Sequence, residues 1–511
     1  MTMAPLGPGA SLPGTADAVR WEDGRILEVG PASLLEPKVP RGVPRFELPG
    51  ALVTPGFVDG HTHFAMWELA RERVHLAGVS RLRDALDRVS KAVPVQGWIL
   101  GHGWEASRWE AQPDRWALDR IQPLPVCLDS LDVHGVWVNS AALAAAGIGR
   151  ETPDPPGGRI LRDGNGEPTG LLLERAVELI RPHIPAPAPD QILAALRDAQ
   201  KEAHRLGVTG IQNVEGMEVL DAFRQMERDG DLALRVLFHP PVTALPQLLA
   251  AGIRSGNGSG WLRIGGIKIF LDGSLGSRTA WMLEPYEGSR DRGLPITAES
   301  DVRRAVTAAA AGGLGCTVHA IGDAAVRFGL DLLADLPRTA VRHRIEHLQC
   351  VHPDDLARAA RSGIVASMQP VHLLADVPLA DARWGARSRG AYACRSLLDQ
   401  GTQLVFGSDA PVASLDPREG VFAALERTPT AGSSSWYPME KIGFREAVFA
   451  YTAAAADAAG ERGRRGTLAP GEDADLVAWN VDPAIERDVG DAFRSGHAAL
   501  TIVGGRVVFR A

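Results

Sequence analysis

The sequence predicts an α/β chain: a (β/α)8 barrel, a small β-sandwich built from both termini, and an α/β insertion after the first barrel strand. Three observations carry that expectation. Short apolar runs ending in polar residues recur through the middle of the chain, with Ala- and Leu/Arg-rich amphipathic segments between several of them. Counted with the run before His61, there are eight such strands, the number this barrel requires. Finally, both ends of the chain are β-rich, with turns between short apolar runs.

At the N-terminal end, Ala18–Trp21 and Arg25–Gly30 flank Glu22-Asp23-Gly24, and Asp-Gly between two apolar runs favours a tight hairpin. The first barrel strand leads into Thr54-Pro55-Gly56-Phe57-Val58-Asp59-Gly60-His61-Thr62-His63. Residues two apart on an extended strand point to the same side, so both imidazoles reach one ion. From about Trp67 to Ile184 the chain is too long for a single crossover and has strand-like pieces of its own, which reads as a lid-like insertion. The later strands are expected at Val208–Asn213, Leu234–His239, Ile264–Asp272, Cys316–His319, His343–His347, Ile364–Gln369 and Leu404–Asp409, with helices such as Asp301–Ala311 and Ala324–Leu336 between them. Ala474–Trp479 and Ala499–Val508 read as further short strands. The expected division is residues 1–54 plus 463–511 for the sandwich, 55–66 plus 185–462 for the barrel, and 67–184 for the insertion.

Composition narrows the function. The chain has 511 residues, is 45% hydrophobic and 23% charged, and carries a net charge of -8. That balance speaks against a nucleic-acid partner, which would want a basic stripe. Four scattered cysteines without Cys-x-x-Cys spacing indicate neither a disulfide framework nor a thiolate zinc site. No signal peptide and no membrane-spanning run is evident, so a cytoplasmic location is expected.

The residues at the strand ends form a set. His61 and His63 end the first strand, Lys268 lies on the fourth, His319 ends the fifth, His347 the sixth and Asp409 the eighth. Only five lysines occur in the whole chain, so one placed between Ile267 and Ile269 needs its own explanation. Burial should lower its pKa, and a neutral amine can react with carbon dioxide to give a carbamate that bridges two cations. The structural alternative is a snorkelling or salt-bridged lysine, with Asp272 as a candidate partner.

In this order, His-x-His, a strand-four lysine, two later histidines and a final aspartate resemble the amidohydrolase superfamily. More narrowly, the chain is similar to amidohydrolase family 3, the branch with the N-substituted formamide deformylases. Pro55–His63, Lys268–Ser274, Gly276–Arg278, Val318–Asp323, Arg344–Gln349 and Gly407–Val412 carry the resemblance, with Asp132–Ser140 and Gly166–Gly170 in the insertion. The Gly/Pro-rich Met1–Gly14 departs from it where a first strand is usual.

The resemblance implies that His61, His63, Lys268, His319, His347 and Asp409 hold one or two divalent metal ions, zinc being favoured, with Lys268 carboxylated in a binuclear site. It also implies hydrolysis of a non-peptide C–N bond in a small N-substituted amide or formamide, with Asp409 moving the proton, and a homodimer. Cyclic amides, N-acyl amino acids and esters or lactones are alternative substrates; a non-catalytic scaffold of the same fold is the rival from another class. Candidate substrate contacts are His239 and Gln369 at strand ends, Asp272 and Arg278 after strand four, and His134, Trp137 and Trp104 from the insertion. For tryptophan, core packing is the commoner use. Asn213 is a further strand-end candidate, Asp323 a candidate helix cap, and His343 a core residue. His372 shows no pattern that raises it above a structural or surface role.

Overall fold

The computed structural model describes residues 16–106, 109–429, 434–482 and 489–511; Met1–Gly14 lies outside them. The chain opens with an antiparallel hairpin of β1 (Ala18–Glu22) and β2 (Arg25–Gly30). It turns through Asp23 and Gly24, both at positive φ, which the asparagine-, aspartate- and glycine-rich hairpin turns require. Then come β3 (Leu52–Pro55) and β4 (Phe57–Thr62).

The segment between β4 and the next parallel strand, expected above as an insertion, holds β5 (Val74–His75), β6 (Ile99–Trp104), β7 (Val126–Ser130), β8 (Gly135–Val138), β9 (Gly158–Arg162) and β10 (Pro168–Glu174), joined in one sheet of order β5-β6-β7-β8-β10-β9. Two apolar layers cover its faces, one built around Trp137 and Trp109, the other around Val136 and Leu172.

Eight strands follow: β11 (Val208–Asn213), β12 (Arg235–Phe238), β13 (Leu262–Ile264), β14 (Ile267–Phe270), β15 (Cys316–Ala320), β16 (Arg344–His347), β17 (Val365–Met368) and β18 (Gln403–Phe406). With β4 they make two all-parallel sheets, β13-β12-β11-β4 and β14-β15-β16-β17-β18. Only Gly265-Gly266 separates β13 from β14. The two sheets also meet through the backbone: Lys268 N donates to Pro240 O (2.8 Å) at one edge and Asp409 N to His61 O (2.7 Å) at the other. Helices lie between the strands, including Glu299–Ala311 and Asp323–Leu333. The second ends three residues before its expected limit, where the chain approaches Pro337.

The C-terminal strands β19 (Leu476–Trp479), β20 (Ala498–Val503) and β21 (Arg506–Arg510) form a sheet of order β21-β20-β19-β3, so a strand from near the start of the chain pairs with one from near its end. Ile26, Leu476, Leu500 and Ile502 pack beneath it with Trp21 and Phe46. Phe57, at the base of β4, stacks on Tyr451 (5.5 Å) and meets Trp479 edge-on (5.2 Å), tying this sheet to the parallel ones. Among the described residues no helix is long and apolar enough to cross a membrane. All four cysteines are buried and free.

Candidate metal centre

The strand register places the polar residues at one end of the two parallel sheets. His61, on β4, and His63, just beyond it, direct their Nε2 atoms at Asp409 Oδ1, at 3.5 and 3.2 Å. Asp409 follows β18 with φ 58°, a conformation that a non-glycine residue holds only when its surroundings impose it. The surroundings are visible: besides the Asp409 amide bond to His61 O, Ser408 N donates to Asp59 Oδ1 (3.1 Å) and His63 N to Ala410 O (2.9 Å). Burial raises the Asp59 carboxyl to about 7.

Gly407 lets these segments approach. A Cβ there would lie 2.4 Å from His61 N and 2.9 Å from Asp59 Oδ1. We expect Gly407→Ala to destabilise the protein by about 1–3 kcal/mol through overpacking. A lowered urea midpoint checks this; an unchanged midpoint would contradict the contact.

Lys268 is buried on β14, with Nζ 3.5 Å from His61 Nε2 and 4.6 Å from the Phe270 ring centre. Burial lowers its amine to about 8, against the pull of Glu346 and Asp409. Asp272 is not its partner: among the described residues no carboxylate lies within ion-pair distance of Lys268. The His319 and His347 rings lie 4.5 Å apart, and His347 is 5.2 Å from His61. Burial first, then neighbouring positive groups, hold both imidazoles well below their usual range, with Asp409 opposing at His347. Neutral imidazole is the form that ligates a cation.

Two donor groups share one carboxylate. His61, His63 and Asp409 form the first and His347, His372 and Asp409 the second, with ligand atoms within 4.8 Å of one another in each. The residues fit a divalent metal on two observations. His347 Nδ1 is buried without a hydrogen-bond partner, and the assembled donors are the imidazoles and carboxylate that such ions prefer.

A model of the amidohydrolase family matches residues 46–509. The chain belongs to the amidohydrolase family. It is 34% identical to Protein LONG AFTER FAR-RED 3 of Arabidopsis thaliana, over 98% of this chain and 89% of that one. It is 33% identical to the putative amidohydrolase YtcJ of Bacillus subtilis (91% of each) and 28% identical to the N-substituted formamide deformylase of Arthrobacter pascens (92% and 90%). A solved structure of a metal-dependent hydrolase from Pyrococcus horikoshii superposes with a TM-score of 0.74 at 26% identity, covering 90% of this chain and 92% of that one. The family and this neighbour support a hydrolase, and the His/Asp groups support a divalent metal.

This amidohydrolase braces its donors with side chains that strand counting missed. Glu346 Oε2 is hydrogen-bonded to His61 Nδ1, which fixes the ring and leaves Nε2 toward Asp409. Arg344 reaches Glu346 Oε2 (3.1 Å) and Gly60 O (2.6 Å), and also contacts Gln212 and Ser367. All four residues of β16 are buried, and His347 turns to φ 67°, ending the regular alternation of the strand beside Glu346. Glu215 accepts from Ala65 N (3.0 Å) and Met66 N (2.8 Å), and Asn213 Oδ1 from Phe64 N (3.0 Å), anchoring the helix after His63. His372 is a correction: its Nε2 lies 4.0 Å from Asp409 Oδ2 and 3.1 Å from Ser408 O, within the cluster. It arrives on the 3-10 turn Pro370–His372, where strand parity gives no signal.

Several expected substrate contacts lie elsewhere. The Trp104 and Trp137 side chains are buried in the insertion core, with their indole N–H groups donating to Leu128 O (2.8 Å) and Asp114 O (2.9 Å). Neither meets the imidazole cluster. Asp272 is fully buried and accepts from the amides of Trp281, Ile321 and Gly322 at 2.8–3.0 Å. It stands 3.7 Å from His319 Nε2 and braces the loops rather than facing solvent. His239 places Nδ1 against Thr317 Oγ1 (2.8 Å) and Gly266 N (2.9 Å), while its buried Nε2 has no partner. Gln369 is buried, and its amide nitrogen makes a long bond to Ser367 O (3.4 Å). Arg278 is exposed at φ 56° in the loop after β14. Asp323 accepts from Leu283 N (2.8 Å) within the first turn of its helix, whose N-cap is Gly322. His343 binds Pro337 O (2.9 Å) and Cys316 N (3.1 Å), a structural role.

His134 is the insertion side chain in ring contact with the cluster, 5.2 Å from His319 and 6.4 Å from Phe270. Burial disfavours its charge, but Glu174 and Asp132 outweigh that and raise it to about 9.

Proposed function

We propose that this amidohydrolase hydrolyses a non-peptide C–N bond, in an N-substituted amide or formamide. One observation carries the reading: His61, His63, His347 and Asp409 converge beside a buried lysine where parallel strands end, the usual place for a site in such folds. The two parallel sheets are halves of one (β/α)8 barrel, with residues 67–184 as its lid and residues 1–54 plus 463–511 as a small sandwich. Zinc is the favoured ion: His61, His63 and Asp409 would hold it, and His319, His347 and a carboxylated Lys268 would complete a binuclear site. When bound, such an ion polarises the scissile carbonyl and makes water nucleophilic at neutral pH.

The chain's own groups do the rest. Asp409 takes a proton from the attacking water on a carboxylate oxygen and delivers it to the leaving nitrogen. Glu346 keeps His61 oriented while this happens, and the wall of strands excludes bulk water. His239, Gln369 and Arg278 remain candidate substrate contacts. A cytoplasmic location agrees with four unpaired thiols.

The test combines metal analysis with a substrate screen. We expect at least one transition metal per chain after growth with added zinc or manganese, and turnover of formamides or N-acyl amines. Less than one metal per chain, or turnover confined to hydantoins or lactones, would remove the assignment.

A further inference from the structure

We propose that Glu174 is a positioning residue that fixes His134 over the centre, and that His134 Nε2 is the insertion's hydrogen-bonding contact to the leaving group of the substrate. The inference rests on the hydrolytic reading above and deepens it by assigning the two sides of the scissile bond.

His134 is held at both ends. Its backbone N–H donates to Asp132 Oδ1 (3.2 Å), and Asp132 in turn accepts from the hydroxyls of Ser274 and Ser277, on the loop that leaves β14. Its ring Nδ1 lies 2.9 Å from Glu174 Oε2. Glu174 is itself immobilised: its N–H donates to His134 O (2.8 Å), its other carboxylate oxygen accepts from Thr279 Oγ1, and its φ is 54°. Its side chain is 2% exposed against 12% for His134. Two carboxylates of the insertion therefore clamp the 274–279 loop, and between them they aim one imidazole. The remaining ring nitrogen, Nε2, makes no hydrogen bond among the described residues.

The location decides the role. His319 and Phe270, which His134 touches, lie on β15 and β14, at one edge of the five-stranded sheet, whereas Asp409 follows β18 at the other. A substrate lying between them with its carbonyl toward the His61–His63–Asp409 group has its nitrogen substituent toward His134. Phe270, 36% exposed beside it, offers that substituent an apolar neighbour. A hydrogen bond at the leaving atom is worth most where charge develops as the C–N bond breaks, and little where the leaving group is already stable.

The experiment compares the metal-loaded protein with His134→Asn and Glu174→Gln on N-acyl alkylamines and on the matching aryl esters. Expected are a roughly 10²-fold or greater loss of kcat on the amines with KM little changed, and a small loss on the esters. Metal content and urea midpoint should match the parent protein. Equal losses on amines and esters, or a fall in metal content in Glu174→Gln, would overturn the proposal and make the pair structural. Should the parent protein turn over none of these compounds, the hydrolytic assignment fails separately. The contact is then read by calorimetry with a neutral N-alkylformamide: weaker binding to His134→Asn supports it, and unchanged binding overturns it.

Discussion

Asp409→Asn is expected to lose metal and activity together. The carboxylate belongs to both donor groups, with His63 Nε2 at 3.2 Å and His61 Nε2 at 3.5 Å from one of its oxygens. Burial alone would raise its pKa, but His63, His61 and His347 hold it well below the carboxylate range, so the group is ionised in the folded protein. An amide in its place offers a neutral oxygen to a cation and no base to water. Loss of a general base costs about 10²–10⁴ in rate. We therefore expect kcat/KM to fall at least about 10³-fold, roughly 4 kcal/mol of transition-state stabilisation. The bound metal, measured by elemental analysis, should fall below that of the parent. Retention of both full metal content and activity would show that the two groups do not converge on Asp409.

Arg344→Ala is expected to be the most destabilising single change near the centre. Arg344 is 1% exposed, and its guanidinium faces Glu346, Gly60 O, Gln212 and Ser367, all in the interior. Removing it leaves Glu346 as a buried carboxylate without its main counter-charge. Breaking one side of a buried pair costs about 3–5 kcal/mol, because the remaining charge is stranded. Equilibrium unfolding in urea reads this directly, and a loss below about 1 kcal/mol would contradict it. Because Glu346 also orients His61, the variant should bind metal more weakly at a temperature where it is still folded.

Much of the centre was legible along the chain, for identifiable reasons. His61 and His63 follow from the period of two of a strand, and Lys268 stands out against an arginine-dominated composition. The segments Gly407–Asp409 and Arg344–His347 declare themselves as strand ends. What escaped notice did so for local reasons. His372 leaves a 3-10 turn with no periodicity to read. Glu346 was hidden beside His347, since alternation allows only one of two neighbours to face inward until a positive φ breaks it. Trp104 and Trp137 have the composition of lid contacts, yet the insertion sheet needs their bulk between its own layers. Glu174 comes forty residues after the His134 it aims, across an antiparallel strand pair.

By itself, then, the order of residues determined the parallel strands, the donor types at their ends and the family to which the chain belongs, because periodicity and local chemistry are properties of short segments. Which nitrogen faces which oxygen was decided only in three dimensions. Asp59, Glu346 and Asp272 spend their carboxylates on amides, an imidazole and loops far away in sequence, and a buried polar group must find such partners wherever the fold brings them.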